Sequence, residues 1–322
     1  RILRQQDQCT PETRRRVIEV ARRLKYRPNM LVRGMQTGRT NTIGVMLPLA
    51  SEFFGDIFQG VHEALVQADH VPIVLWCYDE LAGNTAEPSE LKQIYRLLDR
   101  RVDGVILRPV DDAIDDSYLR AVWEQRLPLV AVDRQLEHTH ADFVGIDDAA
   151  LGRAAAHQLL SLGHRRLGHL AGPDTVTTSR QRRRGFESTA AAAGATCITA
   201  VDASFSGDED PVRALLQRSD RPTAVFAAND VLAVRLYSVA RDLGLCIPHD
   251  LSVIGCGNLR VSAALYPRLH TFDQNPHETG REAVRLLLQR LADDPDKPMS
   301  PQIIHLPFAQ VPGQSVAPAH LR

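Results

Sequence analysis

Tyr26-Arg27-Pro28-Asn29-Met30-Leu31-Val32-Arg33-Gly34-Met35-Gln36-Thr37-Gly38-Arg39-Thr40-Asn41-Thr42-Ile43-Gly44-Val45 is the stretch where this 322-residue chain changes character. Pro28 ends any helix before it, because it lacks an N–H and pushes its neighbour towards extended geometry. Asn29 is a good N-cap and Gly38 a natural stop. Between them lies room for about two helical turns, and Gly34 weakens these by roughly 1 kcal/mol relative to alanine. An isolated helix this short is marginal in water. The segment is therefore expected to be helical only when something holds it, which makes it a candidate switch. From Thr42 onward the chain turns to short apolar runs alternating with amphipathic stretches.

Those runs are Ile43–Leu47, Pro72–Trp76, Gly104–Leu107, Leu129–Val132, Phe143–Ile146, Arg166–Leu170, Thr223–Ala227, Leu251–Ile254 and His270–Phe272. Helix-like stretches such as Phe54–Ala68, Ala149–Leu162, Ser179–Ala193 and His277–Leu291 separate them. Strand, helix, strand repeated in this way implies parallel sheets with helices on both faces. So many strands exceed one comfortable sheet, and the reading is an α/β fold of two Rossmann-like lobes. Ligands of such folds lie beyond the carboxyl ends of the strands, where a cleft between lobes would form. The lobe boundary is placed near Asp147–Asp148, and the polar, turn-rich Asp293-Asp294-Pro295-Asp296-Lys297-Pro298 is the expected return crossing. After Pro307 the periodicity is lost, and the tail is expected to be loosely ordered.

Upstream, Thr10-Pro11-Glu12 is a helix start, with Thr as N-cap, Pro at the first position and an acid in the first turn. Val17, Val20/Ala21 and Leu24 form one narrow apolar face, surrounded by Arg14, Arg15, Arg16, Arg22 and Arg23. So thin a stripe must pack on earlier helices, and Arg1-Ile2-Leu3-Arg4 reads as the tail of one of them. Arg1 to Asn41 hold eleven Arg/Lys against three Asp/Glu, so this end carries +8 within a chain of net charge -1, leaving -9 on the remainder. A basic end on an acidic body suggests a polyanion partner for that end; a solvated charged tail is the plainer alternative.

The five cysteines form no CxxC pair, which supports neither a disulfide framework nor a zinc ribbon and favours a reducing cytoplasm. No apolar run approaches the roughly 20 residues needed to span a bilayer. Catalytic signatures are missing too: there is no GxSxG elbow, P-loop, HExxH or GxGxxG. His164 and His169 flank a strand without an evident second ligand, and His138-Thr139-His140 fits a turn better than a metal site. No cofactor or metal is expected, and no enzyme. In the run Arg180, Arg182, Arg183, Arg184, one inward-facing guanidinium could meet a polar ligand. Phe53-Phe54 follows the first strand and serves either the core or a flat ligand face. Asn229 is expected to point to the cleft, with Asp230 as the helix N-cap.

Taken together these residues resemble the LacI family of transcription regulators from Arg1 to about Ala317. The match rests on Thr10-Pro11-Glu12-Thr13-Arg14 leading to Leu24-Lys25-Tyr26-Arg27-Pro28-Asn29, then Thr37 through Val45, Arg101-Val102-Asp103-Gly104-Val105-Ile106-Leu107, Leu162-Gly163-His164-Arg165-Arg166-Leu167, and Arg182 with Gly185-Phe186. Arg221-Pro222-Thr223-Ala224-Val225-Phe226 through Asn229-Asp230 and Ile247-Pro248-His249-Asp250-Leu251-Ser252-Val253-Ile254-Gly255 complete it. The resemblance implies a partial helix-turn-helix headpiece at 1–28, a hinge helix and linker at 29–41, and a periplasmic-binding-protein-like core. The core's first lobe is read as 42–147 plus 275–298 and its second as 148–274 plus 299–322.

It further implies a homodimer on pseudo-palindromic double-stranded operator DNA, with a small effector, a sugar or sugar acid, between the lobes. Met35 takes the place of the usual Leu that wedges a base step, a role open to an apolar side chain. Arg33 and Asn29 match hinge positions facing the groove or its phosphates, Tyr26, Thr10 and Thr13 match phosphate contacts, and Arg1 and Arg4 fall at the end of the recognition helix, whose earlier part is expected upstream. For the effector the resemblance carries over Phe53, Phe54, Asp133, Asp147, Thr178, Arg182, Phe205, Asn229 and Gln274. One departure stands out: after Ile254-Gly255-Cys256 the chain has Gly257 where the family usually has Asp, which removes a customary polyol contact. The rival reading is a solute-binding protein of a sugar transporter, which shares the core and predicts an export signal and no basic hinge.

Overall fold

The computed structural model describes residues 10–26, 38–49, 51–76, 89–109, 119–136, 141–202, 209–293 and 300–319. Most of the hinge stretch, the His138–His140 turn and the 294–298 part of the expected crossing lie outside them. The basic end contributes helix α1 (Pro11–Arg23). Thr10 caps it through Thr13 N–H at 3.3 Å, Pro11 opens it, and none of its residues is buried.

The first sheet has six parallel strands: β1 (Thr42–Leu47), β2 (Val71–Trp76), β3 (Gly104–Leu107), β4 (Leu129–Val132), β5 (Asp142–Gly145) and β11 (Ile303–His305), in the order β11-β5-β4-β3-β1-β2. Successive side chains of a strand point to opposite faces, and both faces here are apolar. Ile43, Val45, Leu47, Ile106, Val130, Val132 and Val144 meet α2 (Glu52–Gln67) and α10 (Pro276–Ala292). Met46, Val105, Leu107, Ala131 and Phe143 meet α3 (Ser89–Asp99) and α4 (Arg120–Glu124) on the other face. Gly44 belongs to that second face, where Leu97 occupies the space a side chain would need.

The second sheet, β7-β6-β8-β9, is built from β6 (Arg166–Ala171), β7 (Thr196–Val201), β8 (Ala224–Ala227) and β9 (Ser252–Ile254), again all parallel. Leu167, Ala224, Phe226 and Ile254 pack on α5 (Asp148–Ser161) and α6 (Thr177–Ala192). Leu170, Val225, Ala227 and Val253 pack on α7 (Asp210–Leu216) and α8 (Asp230–Asp242). After the short α9 (Arg260–Ala264), β10 (Thr271–Asp273) pairs antiparallel with β12 (Ala309–Val311).

Three expectations change. Ile303–His305 pairs with Phe143–Gly145 in the first sheet, so the segment from 299 does not belong wholly to the second lobe; the chain returns between His305 and Ala309. A three-residue strand carries too little pattern to be read from sequence, yet the open edge of β5 supplies its hydrogen-bond partners. Thr196–Val201, absent from the sequence reading, fills the edge of the second sheet. The tail is also tied down rather than loose. Val253 N–H donates to Ser315 O at 2.8 Å, Ser315 Oγ donates to Val253 O at 2.6 Å, and His270 N–H donates to Ser315 Oγ at 2.8 Å. His164 belongs to the same fastening, its ring contacting Thr223 Oγ1 at 2.9 Å and Ala317 O at 3.0 Å.

Candidate functional site

A cavity of about 200 Å³ lies beyond the carboxyl ends of strands from both sheets. Phe53 and Phe54 at the start of α2, Arg108 after β3, and Asp133 and Arg134 after β4 supply one side. Thr178, Ser179 and Arg182 of α6, Asn229 after β8, Cys256 and Gly257 after β9, and Gln274 after β10 supply the rest. The volume lies below the range of drug-sized pockets and suits a compact ligand.

Arg182 organises the deep end. Its Nε donates to Asp148 Oδ1 at 2.6 Å, Nη1 to Ala228 O at 2.6 Å, and Nη2 to Gln274 Oε1 at 2.7 Å. One planar fork thus joins α5, the loop after β8 and the loop after β10, a use that lysine could not reproduce. The two helices approach closely enough for this because Gly152 and Gly185 face each other's backbone; a Cβ on Gly185 would meet Ala149 O, and one on Gly152 would meet Arg182 O. The side chains of Arg182 and Asp148 are 7% and 5% exposed. Burial pushes the Asp148 carboxyl up to about 6 against the opposing pull of Arg182. Burial also works against the guanidinium's charge, but the Asp148 carboxylate, with Asp133 behind it, outweighs it and raises the Arg182 pKa. The Cys256 thiol, raised to about 12 by burial, is neutral.

The opposite wall is aromatic and charged. Phe53 and Phe54 meet edge-to-face with centroids 5.1 Å apart, and the Arg108 guanidinium carbon stands 5.1 Å over the Phe54 ring. Such a cation–ring contact strengthens where water is excluded. Arg108 Nε lies 3.7 Å from Asp133 Oδ2. Asp133 itself has φ 65°, a left-handed conformation that non-glycine residues adopt at some cost. Hydroxyl groups could bond to Asp133, Asn229 and Gln274, while an apolar ring face could stack on the phenylalanines.

The structure therefore gathers Phe53, Phe54, Asp133, Thr178, Arg182, Asn229 and Gln274 around one cavity. Asp147 is elsewhere engaged: it caps α5 through Ala150 N–H at 2.7 Å and pairs with Arg153 at 3.3 Å. Phe205 lies outside the described residues. Asn229 lines the cavity as expected and also takes the capping role expected of Asp230. Asn229 Oδ1 caps α8 by accepting from Leu232 N–H at 2.8 Å, which leaves its NH₂ for the cavity. Asp230 is fully buried and accepts from Ser262 Oγ, Thr271 Oγ1 and Leu259 N–H at 2.5, 2.6 and 2.9 Å. That carboxylate shapes the loop carrying Cys256, Gly257 and Leu259.

Sequence reasoning missed Asp148, Arg108, Arg134 and Cys256. Asp148 follows a helix cap and reads as an ordinary first-turn acid, and the two arginines follow strands without any motif. His169 is a core residue, stacked 5.0 Å from Phe226 with Nδ1 2.9 Å from that residue's carbonyl oxygen.

Of the residues expected at DNA, Thr10, Thr13 and Tyr26 are described. Tyr26 is exposed, and the Thr10 and Thr13 hydroxyls lie 2.9 Å apart at the start of α1. Arg1, Arg4, Asn29, Arg33 and Met35 lie outside the described residues.

Comparison with known proteins places these features in context. The profile of the periplasmic binding protein-like domain matches residues 156–316. The HTH-type transcriptional repressor PurR of Photobacterium profundum is 29% identical over 287 residues, covering 87% of this chain and 84% of that protein. The ribose operon repressor of Haemophilus influenzae is 29% identical over 286 residues, covering 87% and 83%. Among solved structures, a LacI family transcriptional regulator from Enterococcus faecium with bound ribose has a TM-score of 0.72 at 28% identity, covering 87% of this chain and 100% of its own. The complex of the transcriptional regulator CelR with cellobiose has a TM-score of 0.74 at 26% identity, covering 98% and 94%.

Proposed function

The chain belongs to the LacI family of transcription regulators, with a periplasmic-binding-protein-like core, and from that premise we propose that it is an effector-controlled repressor of carbohydrate or related catabolic genes. It acts in the cytoplasm as a homodimer on a pseudo-palindromic operator. A small metabolite, a sugar or sugar acid, binds between the two sheets and shifts the population of lobe arrangements. That shift decides whether the hinge segment, read from the sequence as part of 29–41, orders on DNA, an order–disorder switch. Arg33 and Met35 reach the minor groove, and Thr10, Thr13 and Tyr26 position the headpiece on phosphates.

The observation that carries this reading is the Arg182 fork buried at the floor of a cavity made by both sheets, in a chain whose basic end stands on an acidic body. A transporter's binding protein would need the cavity but not the basic end. The test is a thermal-shift screen with ribose, cellobiose, gluconate and hypoxanthine. A ligand at a hundredfold its Kd stabilises by about 2.7 kcal/mol, and Arg182→Ala should abolish the hit. A hit that survives Arg182→Ala unchanged places the effector elsewhere.

A further inference from the structure

Residues 39–41, which lead from the basic stretch into the core, are fastened at the amino-terminal rim of the first sheet, and one carboxylate takes both main-chain N–H groups of Thr40 and Asn41. Thr40 N–H donates to Asp103 Oδ1 at 2.9 Å and Thr40 Oγ1 reaches the same oxygen at 3.1 Å. Asn41 N–H donates to Asp103 Oδ2 at 2.7 Å. Bonds from main-chain N–H groups to a carboxylate are shorter and stronger than neutral ones. The single Thr40 hydroxyl proton is shared between Asp103 Oδ1 and Arg101 O, 2.9 Å away; Asn41 O accepts from Val71 N–H at 2.9 Å, and Arg39 Nη2 donates to Leu291 O at 2.6 Å. Asn41 is left-handed, φ 55°, and turns the chain from this anchorage into β1.

The anchorage and the cavity share an element. Asp103 immediately precedes β3, and Arg108, which lines the cavity and stands over Phe54, immediately follows it. The four residues of β3, five steps of extended chain from Asp103 to Arg108, separate the two by about 17 Å. β3 lies inside the sheet between β1 and β4, hydrogen-bonded on both sides. Such a strand passes a displacement along its length instead of absorbing it in a bend.

We propose that Asp103 is a positioning residue for DNA binding: it fixes where the basic segment leaves the core and passes movement of β3 at the cavity to that segment. This rests on the DNA-binding reading above. Its test uses the intact chain, with Asp103→Ala and the isosteric Asp103→Asn, which keeps one acceptor. Hydrogen exchange should show the amides of Thr40 and Asn41 exchanging about tenfold faster or more in Asp103→Ala, with the rate in Asp103→Asn between that and wild type. Protection in β4, β5 and the second sheet should be unchanged. Against a duplex enriched from a random library by the wild-type protein, Asp103→Ala should bind at least about tenfold more weakly and Asp103→Asn less so, at unchanged dimer content.

Unaltered exchange at Thr40 and Asn41 in both variants overturns the anchorage. Faster exchange with unaltered duplex affinity overturns its role in positioning. If Asp103→Ala fails to fold, Asp103→Asn carries both comparisons. A wild-type protein that enriches no duplex defeats the DNA-binding reading, and with it the positioning role, while the exchange measurement still judges the anchorage separately.

Discussion

Asp148→Asn removes one charge from the cavity floor with almost no change in volume. Asp148 and Arg182 are nearly buried and 2.6 Å apart, and the guanidinium stays protonated. The variant leaves that cation among neutral acceptors alone, Ala228 O and Gln274 Oε1 at 2.6 and 2.7 Å and the one amide oxygen kept at position 148. Breaking a buried pair from one side costs about 3–5 kcal/mol where a charge is stranded; part of this is offset here, because the amide avoids the desolvation that raises the Asp148 pKa. A solvent-exposed pair such as Arg218–Asp220, with side chains 47% and 60% exposed, is screened by water and contributes far less. Removing both charges with Asp148→Asn and Arg182→Met avoids the stranded cation and leaves the two acceptors unpaired, at about 1–3 kcal/mol each. The double variant is therefore expected to be less damaged than the sum of its single changes, by several kcal/mol. Urea unfolding followed by far-UV circular dichroism at pH 8, two units above the Asp148 pKa of about 6, measures this directly. With a slope of roughly 3 kcal/mol per molar, a 3 kcal/mol loss moves the midpoint by about 1 M. An Asp148→Asn midpoint within 0.3 M (about 1 kcal/mol) of wild type, or strict additivity in the cycle, would refute the claim that this pair is a desolvated unit.

Gly185→Ala places a methyl against Ala149 O and forces α5 and α6 apart; overpacking of this kind costs about 1–3 kcal/mol, and any ligand found by thermal shift should bind more weakly because Arg182 moves with its helix. His169, buried against Phe186 and Phe226, has its pKa lowered from 6.5 to about 4, chiefly by burial. The unfolded chain takes the proton first, so this contribution to stability is whole above pH 6.5 and falls by about 3 kcal/mol as pH drops towards 4. Asp148, raised from 3.8 to about 6, acts in the opposite sense over an overlapping range. The comparison of wild type with His169→Gln across pH 4–7 isolates the histidine, and equal pH slopes would sink the assignment. At the basic end, Met35→Ala and Arg33→Ala should each weaken binding to the enriched duplex about tenfold or more, with dimer content and cavity binding unaltered, as read by gel shift.

Apolar alternation was readable wherever it ran long enough. Ile43, Val45 and Leu47 against Gly44 and Met46 declare a strand covered on both sides, and Ser179–Ala193 declares a helix. The basic end, the change of pattern at Thr42 and the Thr10-Pro11 cap are equally local, since charge, propensity and capping act over a few residues. Ile303–His305 was not legible, because three residues hold no period and the strand exists only by virtue of the unpaired edge of β5. That Asn229 and not Asp230 caps the helix was hidden likewise: either can cap, and Ser262, Thr271 and Leu259, which claim Asp230, come from about thirty to forty residues away. Pattern alone left open which of four arginines faces inward and the family resemblance singled out Arg182, but its partners on Asp148, Ala228 and Gln274 were not readable. Propensity and periodicity chose the elements; close backbone approach at Gly152 and Gly185 and the removal of water decided which charged groups meet.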